Sequence, residues 1–199
     1  MTTEMPPLET ERLLIRPFTL QDLPNVHQLL DLDLAPINPP GSASPQQGTL
    51  SERQRWLQWT VLSYAQLANL YQPPYGDRAI ILKSSRRLIG ACGFVPAFGP
   101  YQQLPGFSAG QPAMYPAPNQ PEFGLYYAVT PSLQRLGYAT EAANSLVDYA
   151  FQALHLKRVI ATTTYDNLAS MGVMRKLGMR ILKNPAPEPT WLQVVGVLP

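Results

Sequence analysis

The sequence is short of charge. Asp, Glu, Lys and Arg make up only 14% of its 199 residues, against roughly 25% in an ordinary globular domain. The formal net charge is +2, too near neutral for a nucleic-acid surface. A single cysteine, Cys92, excludes an internal disulfide and a multi-cysteine metal site; it fits a reducing cytoplasm. His27 and His155 have no companion at ligand spacing, so no metal is expected. No run approaches the roughly 20 apolar residues of a membrane helix. The first residues, MTTEMPPLETERL, are acidic and lack the basic and apolar regions of a secretory signal. These absences lead us to expect a cytoplasmic protein that engages neither membrane nor nucleic acid.

What is present is an ordinary 45% of hydrophobic residues and 22 prolines. The length suits one core, so residues 1–199 are read as a single domain. Residues 1–10 read as a loose leader and Arg12–Phe18 as the first strand. Thr19 and Asp22 have the spacing of a capping box before a helix. Residues 35–48 are a Pro/Gly/Ser loop. Apolar positions from Trp56 to Tyr71 repeat at helical spacing, and Pro73-Pro74 ends that helix. Arg78–Lys83 and Leu88–Val95 read as a hairpin around Ser84–Arg86.

From Leu88 to Pro121 there is no charged residue, and 96–121 carries seven prolines. Proline and glycine there argue against a regular strand. Its aromatics argue for an ordered loop, either a plain surface insertion or a lid or dimer contact beside a site. Glu122–Val129 then reads as a strand. Ala139, Ala142, Ala143, Leu146, Val147, Ala150, Phe151 and Leu154 make the apolar face of a long helix starting near Tyr138. Arg158–Thr164 is β-prone. Asn167 caps a short helix stopped by Gly178. Trp191–Leu198 closes the chain as a strand. This order implies an α/β fold with a mixed sheet and helices on both faces.

The turn Gln134–Ala139 joins strand to long helix. Exposed N–H groups at a helix start, with the helix dipole, form an anion site. Gly137 permits close approach of a phosphate, and Arg135 adds positive charge. An ordinary strand-to-helix turn with one glycine stays open on these grounds alone.

The pattern Gln134, Gly137, Ala139, within the phrase GYATEAA, resembles the acyl-CoA pyrophosphate loop of GNAT acetyltransferases. The opening LETERLLIRPFTLQDL, the strand RLIGACGF, and Asn167-Leu168-Ala169-Ser170 followed by Val173 to Met179 are similar to the family's ribosomal-protein N-terminal acetyltransferase branch. Only the 96–121 insertion falls outside the likeness. The resemblance implies the GNAT fold, a mostly antiparallel sheet with splayed central strands. It implies transfer of acetyl from acetyl-CoA to a primary amine in a ternary complex, the amine being a protein or peptide N-terminus. Pantetheine would run beside Ala128 and Val129. Pyrophosphate would sit on Gln134, Arg135, Leu136, Gly137, Tyr138, Ala139 and Thr140. Glu122 is the candidate base, or else a solvated strand end. Ser170 is the candidate near the departing thiolate, or else a hydroxyl serving local backbone. Asn167 touches pantetheine or simply caps its helix. The tyrosine acid that many relatives carry on this last helix is absent, Met174 standing in its place. That leaves two alternatives: an idle acyl-CoA-binding regulatory protein, and an acetyltransferase for small-molecule amines. Either a monomer or a homodimer fits. Glu141 is explained by the helix dipole, His155 by a helix end, and Cys92 by burial as an inert thiol.

Overall fold

The computed structural model describes residues 4–34, 48–108 and 112–199. Most of the 35–48 loop, residues 35–47, therefore lies outside the described residues. Eight strands form one sheet: β1 (Leu8–Glu9), β2 (Leu13–Pro17), β3 (Gly76–Leu82), β4 (Arg87–Gly99), β5 (Gln120–Val129), β6 (Val159–Thr163), β7 (Arg180–Lys183) and β8 (Val194–Leu198). Their order is β1-β2-β3-β4-β5-β6-β8-β7. Every neighbouring pair is antiparallel except β5 and β6, which run parallel and pair only at Gly124 and Ile160. Past that point the two strands part, and the opening between them is the main feature of the sheet.

The helices are α1 (Leu23–His27), α2 (Leu50–Asn69), α3 (Tyr138–Gln152) and α4 (Leu168–Lys176). The Asp22 carboxylate accepts from the Thr19 N–H at 2.8 Å, so the expected capping box forms. Asn167 caps α4 through the Ser170 N–H at 3.0 Å, and Gly178 ends it with φ +79°.

The strands' alternation sorts side chains onto two faces. On one face Ile15, Ile80, Cys92, Phe94, Leu125, Val159 and Ala161 pack with Ala142, Ala143, Leu146 and Ala150 of α3 and Met174 of α4. Of the eight apolar positions expected on α3, five are buried; Ala139, Phe151 and Leu154 pack at the margin. On the other face α1 and α2 cover β2–β4 through Val26, Leu57, Ala79, Ile81 and Ala91. Among the described residues no α-helix covers the far half of that face, over β6, β8 and β7. It is covered instead by Tyr101, Leu104 and Phe107, packed on Ile160, Leu182, Val195 and Val197.

Four expectations need correction. The leader is tied down: Leu8–Glu9 pairs with β2, and Met5 is buried because it completes the core beneath α3. The uncharged 96–121 segment is not free of strand. β4 continues through Pro96 to Gly99, pairing with Gln120–Phe123. Proline is accommodated because β3 stops pairing at Phe94, leaving β4 an open edge where a missing N–H costs no ladder bond. Arg180–Lys183 is a strand that its short sequence concealed; its register against β8 makes it one. Trp191 and Leu192 belong to a 3-10 turn, and the last strand begins at Val194.

Candidate active site

The strand-to-helix turn is built as an anion cradle. Arg135 and Gly137 both have positive φ, +64° and +88°. Such a curl turns successive N–H groups to one side. Among the described residues, no backbone N–H from Arg135 to Thr140 makes a hydrogen bond within the protein; the first to do so is Glu141, to the Gly137 carbonyl at 2.9 Å. These free donors lie at the positive end of α3.

The turn is held from outside. Arg12 donates to the Leu136 carbonyl at 3.1 Å, pairs with Glu141 at 2.6 Å, and stacks over the Tyr138 ring at 4.4 Å. Glu141 also accepts from the Thr10 hydroxyl and the Arg12 N–H. Burial alone would raise its pKa, but these hydrogen bonds together lower it. Glu141 thus clamps α3 to the bend before β2, a tie that dipole complementarity alone did not suggest. The Gln134 side chain does not point outward: it donates to the Val129 carbonyl at 3.1 Å, bracing the end of β5 against the turn.

The opening between β5 and β6 begins beyond Gly124. A Cβ at Gly124 would lie 2.7 Å from Val95, so only glycine fits where the strands meet. Ala128 and Val129 stand farther along β5, on the diverging arm, and lead to the turn. Asn167 caps the start of α4, and Ser170 lies in its first turn. Tyr127 reaches across from β5: its hydroxyl lies 3.0 Å from Ser170 Oγ and donates to the Ser170 carbonyl at 3.1 Å. Burial pushes the Tyr127 phenol up to about 12, with the Ser170 hydrogen bond opposing. The sequence reading missed Tyr127. The signal was a second tyrosine in Tyr126-Tyr127, whose facing required the strand register. Met174 is fully buried against Gly196 in the core and presents nothing to the opening.

Glu122 lies just before the closed end of the opening. Both its oxygens accept from Arg158, at 2.8 Å from Nε and by a second contact from Nη2. The Arg158 guanidinium in turn sits 4.7 Å from the Phe107 ring centroid. Glu122 is therefore not a solvated strand end. Its pairing joins β5, β6 and the 101–107 cover. Cys92 is fully buried and its thiol is pushed up by burial, as an inert thiol would be. No His/Cys/Asp/Glu group suited to a metal ion occurs among the described residues, and no helix among them is long and apolar enough to cross a membrane.

The signature of the Acetyltransferase (GNAT) domain matches residues 12–180. The chain is 40% identical over 58 residues to the uncharacterized N-acetyltransferase YnaD of Bacillus subtilis, a match covering 29% of this chain and 34% of YnaD. It is 27% identical over 176 residues to the uncharacterized N-acetyltransferase YoaA of the same organism, covering 88% and 83%. In three dimensions it is similar to RimL, a ribosomal alpha-N-protein acetyltransferase solved with coenzyme A. That likeness has a TM-score of 0.62 at 15% identity, over 94% of this chain and 93% of that one, and is one of fold.

Proposed function

The chain belongs to the acetyltransferase (GNAT) domain family, and on that premise we propose that it moves acetyl from acetyl-CoA to a primary amine by direct attack in a ternary complex. The amine we favour is a protein or peptide N-terminus, as in the ribosomal-protein branch. The observation that carries this reading is the row of unpartnered N–H groups from Arg135 to Thr140, in the turn that follows the arm of β5 that parts from β6. Pyrophosphate would take those donors, with Arg135 nearby and Gln134 bracing the turn. Pantetheine would follow β5 past Val129 and Ala128, with Asn167 opposite.

The acceptor would come from the face carrying α1, α2 and the 101–107 segment. Between those covers β5 presents Glu122, Gly124, Tyr126 and Ala128, by the register that places Ala97 and Ala91 beside them. The insertion would then form one wall of the acceptor groove. An amine must be neutral to attack. With both oxygens already held by Arg158, Glu122 would act through an ordered water using its remaining lone pairs. A single buried thiol suits a cytoplasmic setting.

Calorimetric titration with acetyl-CoA, followed by assay on N-terminal peptides and small amines, tests the reading. We expect binding and peptide acetylation. No binding at millimolar cofactor would end the proposal. Binding without turnover on any amine would favour the idle acyl-CoA-binding alternative, and turnover restricted to small amines would move the acceptor class. For the base, Glu122→Gln is expected to lower kcat by about 100-fold, the usual scale of general-base loss, with acetyl-CoA affinity unchanged. Unaltered kcat would remove Glu122 from the chemistry.

A further inference from the structure

We propose that Tyr127 is the acid that protonates the departing thiolate, held in place by Ser170; the inference rests on the acetyl-transfer reading above. Three observations point to it. Tyr127 projects from the diverging arm of β5, on the face that α4 covers, and its hydroxyl bridges the opening to Ser170 in the first turn of α4. Its oxygen therefore stands over the gap along which a thioester would lie. The phenol is bound by two Ser170 atoms, the hydroxyl and the carbonyl, so its position is determined to within one hydrogen bond. The α4 residue Met174 is sealed in the core and offers no proton.

The step balances. The neutral amine nitrogen forms a bond to the acetyl carbon, the carbon–sulfur bond breaks, and its electron pair stays on sulfur. The Tyr127 hydroxyl proton passes to that sulfur. The phenolate regains a proton from solvent through the Ser170 hydroxyl, while the amine's surplus proton leaves on the acceptor side. Burial makes the phenol a weak acid, but the same surroundings disfavour a thiolate: the Cys92 thiol, opposite Tyr127 in the β4–β5 register, is also raised by burial. The proton thus moves between two groups that both resist carrying charge there. The influences on the Tyr127 hydroxyl are burial and Ser170. Cys92 stands opposite it in the β4–β5 register, Ser170 of α4 bonds its hydroxyl, and no charged side chain among the described residues shifts it.

Fluorinated tyrosines at position 127 change acidity with little change of shape. If Tyr127 is the acid, kcat gains an alkaline limb that moves downward in pH as ring fluorination increases. In the same background Ser170→Ala moves that limb back up, because the Ser170 bond lowers the phenol's pKa. Tyr127→Phe lowers kcat about 100-fold and leaves acetyl-CoA affinity as in the parent. A kcat profile indifferent to fluorination, in a parent protein that acetylates amines, would overturn the role of Tyr127 while leaving acetyl transfer standing. A parent protein that acetylates nothing would refute the transfer reading itself, and Tyr127 with it.

Discussion

Gly137→Val is expected to weaken acetyl-CoA binding by about 100-fold, equivalent to ~2.7 kcal/mol. Two effects combine. The glycine sits at φ +88°, a conformation that costs an L-residue roughly 1–2 kcal/mol and a β-branched one more. Relieving that strain rotates the flanking N–H groups away from their common focus. A Cβ there would also stand 3.3 Å from Arg12 Nη2, inside ordinary contact. Arg12 is the residue that holds the Leu136 carbonyl and Glu141, so its displacement loosens the cradle from its second side. Gly137→Ala should show a smaller loss, because it lacks the branch. Calorimetry on both variants provides the measurement. Unchanged affinity in the valine variant would mean that the phosphates bind elsewhere. A melting temperature near that of the parent would show that the loss belongs to the site and not to the fold.

The largest loss of stability is expected on the opposite side of the sheet. Asp31 and Arg53 are both buried, at 0% and 2% side-chain exposure. The Asp31 carboxylate accepts from Arg53 Nε at 2.8 Å and Nη2 at 2.6 Å, and from the Gly48 N–H at 3.2 Å; His27 Nδ1 lies 2.7 Å away. It therefore ties α1 and the π-helical turn after it, Gln28–Asp33, to the start of α2. Asp31→Ala would strip the buried Arg53 guanidinium of both its carboxylate hydrogen bonds, leaving only the through-space charge of Asp77, and Arg53 Nη1 already lacks a partner. A cost of about 3–5 kcal/mol follows, read as a lowered midpoint in urea. A loss below about 1 kcal/mol would mean that water reaches Arg53.

The same carboxylate predicts a pH dependence. Burial raises the Asp31 pKa, but the hydrogen bonds from Arg53, His27 and Gly48 outweigh it and hold the group below its ordinary value. A pKa lowered by folding contributes stability that is fully present above the unfolded value, near 3.9, and is lost as pH falls through the folded one. Asp22 beside Arg16 and Glu141 beside Arg12 and Thr10 are lowered too, so their contributions fade in the same direction. Stability should therefore fall steeply below about pH 4 in the parent protein and less steeply in Asp31→Ala.

The helix faces were legible because their signals are local. Leu146, Val147 and Ala150 repeat within two turns of one another, and Asn167 meets its Ser170 N–H three residues on. The 96–121 segment misled for the opposite reason. Proline argues against a strand only where its N–H would be needed in a ladder, and whether β4 is an edge there depends on where β3 ends. Arg180–Lys183 is too short to carry an alternation of its own, and only β8 makes it a strand.

The site divides along the same line. The sequence by itself determined the turn at Gln134–Ala139, its glycine and the helix that follows, because a left-handed residue, a helix start and an apolar stripe are each set by neighbours a few residues away. Tertiary structure decided the rest. It placed Glu122 on Arg158, 36 residues away, and Tyr127 on Ser170, 43 residues away. It turned Gln134 inward to Val129 and laid Phe107 beside Arg158. Those meetings depend on β5 lying next to β6 and touching it at a single register point. No local periodicity encodes which strands become neighbours, because that choice is made by the burial of both sheet faces at once.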